Sequence, residues 1–83
     1  MKKSDSELAT MIKVGGIYSY YKNLDNKYKV LGLAILESNT EVCVIYEPQY
    51  GVKLPFVRPL SNWLEEVEIN NTNFKRFTLV NSQ

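Results

Sequence analysis

An arginine wedged into an apolar run is the residue in this chain whose type and place ask for chemistry. Arg58 lies between Val57 and Pro59 in the stretch Tyr46 to Trp63, which reads YEPQYGVKLPFVRPLSNW. A guanidinium taken out of water is costly unless it has a partner. The partner is either an internal carboxylate, with Glu47 and Glu65 the nearest on either side in sequence, or an anionic ligand. The second feature is a set of six tyrosines in a chain of 83 residues. A tyrosine offers a flat apolar ring and a polar tip, which suits stacking on a base and bonding its edge. An arginine beside an aromatic platform also pairs bidentately with phosphate or carboxylate.

Catalytic machinery is scarce. The chain has no histidine, which removes the commonest general base and metal ligand together. Without it neither a Ser–His nor a Cys–His arrangement can be built. One cysteine and scattered carboxylates give no metal-ligand spacing, and Gly15-Gly16 is a helix breaker rather than a phosphate loop. Glu66 and Glu68 alternate onto one side of a strand and read as a solvated face. The expectation is a protein that is not an enzyme and carries no cofactor.

Composition narrows the class. The formal net charge is +1, and a general nucleic-acid binder needs a clear basic excess, so nucleic acid is disfavoured as a partner. Cys43 is alone within Val42-Cys43-Val44-Ile45 and reads as a small core hydrophobe in a reducing, cytoplasmic setting. The first residues, MKKSDSELATMIKVGG, lack the apolar core of a secretory signal. No segment approaches the ~18 apolar residues of a membrane span. Lysine and asparagine usage points to a low-GC bacterium or its phage.

The elements that must hold the candidate residues are mostly strands. Ser4 to Lys13 reads as a short helix, with Ser4 and Glu7 at capping-box spacing and Leu8, Met11 and Ile12 on one stripe. Ile17–Lys22, Lys27–Glu37, Glu41–Glu47, Lys53–Arg58, Glu65–Ile69 and Phe74–Val80 read as strands. In the second strand, Tyr28, Val30, Gly32, Ala34 and Leu36 share one face, and Lys29, Leu31, Leu33 and Ile35 the other. Gly32 marks a bulge or tight bend. Pro59 opens one helical turn from the position where a missing N–H costs least. Short strands at roughly ten-residue spacing predict an all-β fold, a small sandwich or a β-barrel of about five to six strands, and at this size closing the barrel is the cheaper way to remove exposed edges. Residues 1–15 form a helical extension and 16–80 the single domain.

The chain also resembles a known family. GIYSYYK, YKVLGLA, VCVIYEPQYG, FVRPLSNWLEEVEI and KRF are similar, in order and spacing, to the bacterial domain-of-unknown-function family 1653. The likeness covers about Gly16 to Phe77, and V-R-P-L at Val57–Leu60 and Y-G at Tyr50–Gly51 carry most of it. Gly16, Tyr18, Tyr21, Lys22, Tyr28 and Gly32 match the pattern. So do Tyr46, Tyr50, Gly51, Arg58, Pro59, Arg76 and Phe77. Two family histidines fall on Tyr20 and Leu36, the arginine before the second falls on Ile35, and a glycine falls on Asn23. The family tryptophan before V-R-P falls on Phe56, and a phenylalanine falls on Trp63. The resemblance implies a small β-rich, SH3-like domain whose role is unassigned.

The reading that results is a binding domain for a small nucleotide-derived or anionic aromatic ligand, acting as a sensor or a sequestering sponge. Its candidate contacts are Tyr18, Tyr20, Lys22, Tyr50, Phe56, Arg58, Trp63 and Arg76. Tyr28 and Tyr46 are read as core; Tyr20 and Tyr50 fit either role. One small barrel offers little concavity, so a homo-oligomer completing the pocket is expected. The alternatives are an SH3-like protein-interaction module and a barrel for single-stranded RNA.

Overall fold

β-Branched and aromatic residues dominate the segments that become strands, as a pleated, half-buried surface favours. The structure, a computed structural model, describes Asp5–Ser82. Its elements run α1 (Asp5–Ala9), β1 (Gly16–Tyr20), β2 (Asn23–Leu36), β3 (Glu41–Pro48), β4 (Phe56–Pro59), α2 (Leu60–Leu64), β5 (Glu66–Ile69), β6 (Thr72–Lys75) and β7 (Phe77–Ser82). Five strands form one antiparallel sheet in the order β4-β3-β2-β1-β7, and β5-β6 form a separate hairpin. The domain is small and all-β, with seven strands and little helix among the described residues.

The sheet is open, not the closed barrel expected from strand spacing, because no ladder joins β4 to β7. β4 is only four residues long and ends in Pro59, which has no N–H for a further ladder. The chain after it goes into α2 and the β5-β6 hairpin instead of crossing to β7. The strand expected over Phe74–Val80 is two strands that part at Arg76. Asn70 and Asn71 both have positive φ, 51° and 65°. That two-residue turn has the twist of a tight hairpin and folds Thr72–Lys75 back on Glu66–Ile69. β4 begins later than expected, at Phe56, after Pro55.

Gly32 sits beside a β2 bulge, as its place in mid-strand predicts. The register with β3 slips between Val30, opposite Tyr46, and Gly32, opposite Ile45, leaving Leu31 extra. The slip corrects the expected faces. Beyond it Leu33, opposite Val44, joins the inward side of Tyr28 and Val30 and packs on the core. One inserted residue inverts every later position, because side chains alternate with period two.

Pro59 is extended (φ −55°, ψ 139°) and caps α2 rather than opening it, so the helix starts at Leu60. The ψ value keeps Pro59 in register with Cys43 on β3. Leu60 and Trp63 are buried. The helix α1 stops at Ala9, short of the expected Lys13, and Ser4, the capping half of the Ser4–Glu7 pair, lies outside the described residues. After Ala9 the backbone tightens: Met11 N–H donates to Leu8 O at 3.0 Å and Ile12 N–H to Ala9 O at 3.2 Å. The changed pitch turns Met11 outward, 54% exposed, while Ile12 enters the core.

The core is aromatic. Tyr18, Tyr28, Tyr46, Trp63 and Phe77 pack with Ile12, Val30, Val44 and Leu60. Trp63 and Phe77 stack face to face, centroids 3.8 Å apart and 4° from parallel. Cys43 is buried and free. Gly16 is where the N-terminal segment meets the sheet. A Cβ there would lie 2.9 Å from the Lys13 carbonyl oxygen and 2.8 Å from Leu79 Cδ1. Backbone cannot yield as a side-chain tip can. Gly16→Ala is therefore expected to cost about 1–3 kcal/mol, the usual cost of overpacking, seen as a lower urea midpoint at unchanged m-value.

Candidate functional site

Strand alternation sets Phe56 and Arg58 on the inward side of β4, since Phe56 opposes Tyr46 and Arg58 opposes Val44. Val57 between them points out and is exposed. On the far side of the sheet Tyr20 of β1 opposes Phe77 of β7. With Tyr28 of β2 these residues form an open hollow of about 240 Å³ lined by Tyr20, Tyr28, Tyr46, Phe56, Arg58 and Phe77.

The rings brace one another. Tyr28 meets Tyr46 at 5.6 Å, Phe77 at 6.1 Å and Tyr20 at 6.4 Å between centroids, each close to edge-on. That is the arrangement ring quadrupoles favour. The Tyr28 and Tyr50 hydroxyls share a 2.7 Å hydrogen bond.

Arg58 has a guanidinium held by neutral groups. Its Nε–H donates to Tyr46 Oη at 3.2 Å, and its Nη1–H donates to Asn62 Oδ1. The helical turn α2 brings Asn62 back to Arg58, four residues earlier in the chain. The cation lies 5.2 Å from the Phe77 ring centroid and 5.9 Å from that of Tyr20, within the range of a cation–π attraction. Neither Glu47 nor Glu65, the expected internal partners, pairs with it. Glu47 follows Tyr46 on β3 and so points to the other face of the sheet. Glu65 is taken by Arg76, whose Nη2 lies 2.8 Å from Glu65 Oε1. Among the described residues Arg58 has no ion pair. A guanidinium also carries more N–H groups than two acceptors can use.

Burial first, then the Tyr50 hydrogen bond and the neighbouring tyrosine hydroxyls, push the Tyr28 phenol from 10.0 up to about 12. Tyr28 therefore stays neutral beside the cation at physiological pH. The sign of the linkage follows. Below pH 10.0 folded and unfolded chains both keep this proton. Between there and about 12 only the unfolded chain releases it, so stability falls as pH rises, by at most ~1.4 kcal/mol per pH unit. Tyr28→Phe is expected to remove this part of the alkaline loss, read by urea unfolding of both proteins at pH ~9 and ~11.

The structure gathers some of the expected contacts and separates others. Tyr20, Phe56 and Arg58 line the hollow, and Tyr50 stands behind it through Tyr28. Tyr18 and Trp63 are buried at 5% and 3% exposure and are core residues. Tyr18 Oη accepts from Lys13 N–H at 3.0 Å, which ties the N-terminal segment to β1. Both border a second hollow of about 450 Å³, as does Arg76; of the lining residues it shares only Phe77 with the first. Arg76 lies 5.9 Å from the Tyr21 ring centroid. Burial draws its pKa down, but Glu65 and the Tyr20 hydroxyl outweigh this and the net direction is up. It remains a cation tied to Glu65. Lys22 is exposed and lines neither hollow.

Three lining residues were not expected as contacts. Tyr28 and Tyr46 are core, as their strand positions imply, and form part of the hollow's wall as well. Phe77 enters only through the β1–β7 pairing. Among the described residues no cluster of His, Cys, Asp and Glu could hold a metal ion, and no helix is long and apolar enough to cross a membrane.

The sequence profile of a family described as "Protein of unknown function (DUF1653)" matches residues 16–79. The crystal structure of a DUF1653 protein from Bordetella bronchiseptica is similar, with a TM-score of 0.71 and 31% identity over 83% of this chain and 88% of that one. No curated protein matches.

Proposed function

This chain belongs to the DUF1653 family, whose description assigns no activity, and from its geometry we propose a non-enzymatic binding domain for a small anionic aromatic ligand. A nucleotide-derived signal is one ligand of that kind, and the role is then to sense or sequester it. The observation that carries this reading is the half-buried Arg58 guanidinium, held by Tyr46 and Asn62 and facing a hollow of aromatic rings with no carboxylate partner among the described residues. A cation so placed attracts an anion, and the rings around it attract a flat group.

Calorimetric and thermal-shift screening against nucleotides and simple aryl acids tests it. At least one such ligand should raise the melting temperature. Arg58→Ala should weaken that ligand about thirtyfold or more, as expected when one partner of a desolvated charge pair is truncated. Failure of every aromatic anion to bind would overturn the proposal.

An SH3-like interaction module is the second reading. It is favoured by the apolar run leading into β4, where Tyr50, Val52, Leu54, Phe56 and Val57 are all exposed. β4 is an edge strand, the kind of edge to which an extended peptide adds. A stable peptide complex that shifts the amide signals of Phe56–Pro59 and ignores small anions would favour it.

A further inference from the structure

The polar groups that meet a ligand in the first hollow can be followed atom by atom. Phe56 and Phe77 bring none. Arg58 brings N–H groups and no lone pair. The tyrosine hydroxyls both donate and accept, and each already has a partner inside the fold. Tyr46 Oη accepts from Arg58 Nε–H at 3.2 Å. Tyr28 Oη shares its 2.7 Å bond with Tyr50. The Tyr20 hydroxyl interacts with the Arg76 guanidinium. No acid and no amide side chain is among the lining residues. The side chains along the hollow are therefore richer in donors than in acceptors, since Arg58 has N–H groups beyond those that Tyr46 and Asn62 use.

We propose that the hollow is an aryl-acid subsite, one that grips a phosphate or carboxylate borne on a flat ring and does not read the ring's hydrogen-bonding edge. This rests on the anionic-ligand reading above and adds what selects among such ligands. Anionic oxygens are acceptors and match a donor-rich set. The ring is received by the faces and edges of five tyrosine and phenylalanine neighbours, which bind any π-surface alike. A nucleobase edge carries donors as well as acceptors, and here the lining offers its donors no acid or amide side chain. Buried unpaired groups are penalised, so a base gains nothing over a plain ring. Size points the same way. The hollow holds about 240 Å³, below the ~300 Å³ at which pockets begin to enclose drug-sized ligands. It has room for one ring with its acid close by, whereas in a nucleotide the ribose holds base and phosphate apart.

The test is calorimetric titration of the full chain with phenyl phosphate, benzoate, AMP, UMP and inorganic phosphate. Phenyl phosphate and benzoate should bind. AMP and UMP should agree within about threefold and be no tighter than phenyl phosphate, and inorganic phosphate should be at least about tenfold weaker. Arg58→Lys, which keeps the charge but loses the planar fork, should weaken phenyl phosphate about tenfold in a protein whose circular dichroism is unchanged. A nucleotide about tenfold tighter than phenyl phosphate would overturn the edge-blind subsite and leave the anionic-ligand reading standing. Inorganic phosphate matching phenyl phosphate would overturn the need for a ring. Failure of all five would overturn both.

Discussion

Trp63→Ala is expected to remove about 3–5 kcal/mol of stability, most of what a domain this small has to lose. Trp63 is the only tryptophan and is 3% exposed. Its ring stacks on Phe77 at 3.8 Å and meets Tyr46 edge-on at 4.9 Å and Tyr18 at 5.3 Å. Truncation thus opens a void among three rings that belong to three different strands, and none can follow the lost side chain without leaving its ladder. A short chain buries a modest fraction of its surface and has little elsewhere to compensate. Circular dichroism across a urea series measures the loss, since the fluorophore goes with the mutation. Trp63→Phe keeps a stacked ring and should fall well short of the alanine cost. If alanine lost less than about 1 kcal/mol, the ring would not be the central core element that its contacts indicate.

What could be read from sequence was local. Period-two runs gave β1, β3, β5 and β2 from Lys27 onward, though β2 begins four residues earlier at Asn23, and the mid-strand Gly32 marked the bulge. The bulge's effect on the faces was less accessible, because it depends on which residue is extra. Placing Leu31 rather than Gly32 outside the register moves Leu33 into the core. Asn70 and Asn71 held the signal for an added hairpin, but asparagine also sits in open turns, and positive φ at both is a property of the folded backbone. Whether the sheet closes was not legible. It depends on β4 and β7 pairing, and no local pattern encodes a contact between strands so far apart in sequence.

The site divides the same way. Arg58 and Phe56 stood out because an arginine in an apolar run at strand spacing must face inward. Tyr18 and Trp63 share the residue types of a binding surface, but type alone does not separate a ring that lines a hollow from one that fills the interior. Tyr28 and Tyr46 do both, which a choice between core and contact excludes. Phe77 was visible only as the last residue of the KRF match. Its role arises when β7 aligns it opposite Tyr20. The Arg76–Glu65 pair is likewise a product of the β5-β6 hairpin, which returns the chain to Arg76 after Glu65 has left α2.

Arg58→Ala separates the two partners an inward arginine can have. A buried ion pair broken on one side strands a charge, and the cost is ~3–5 kcal/mol. Here the partners are the Tyr46 hydroxyl and the Asn62 amide, so no charge is left behind. The loss is two hydrogen bonds and a cation–π contact, set against relief from desolvating the guanidinium, and the net expectation is about 1–2 kcal/mol. Tyr46 Oη then faces the enlarged hollow, where water can reach it. Urea unfolding of Arg58→Ala, Asn62→Ala and the double variant should give a coupling of about 1 kcal/mol. The same cycle with Glu65→Ala should give close to none, since Glu65 belongs to Arg76. A cost near 4 kcal/mol, or strong coupling to Glu65, would mean that Arg58 has an acidic partner inside the fold. The cation would then be spent on stability, with no charge left over for an anion from outside.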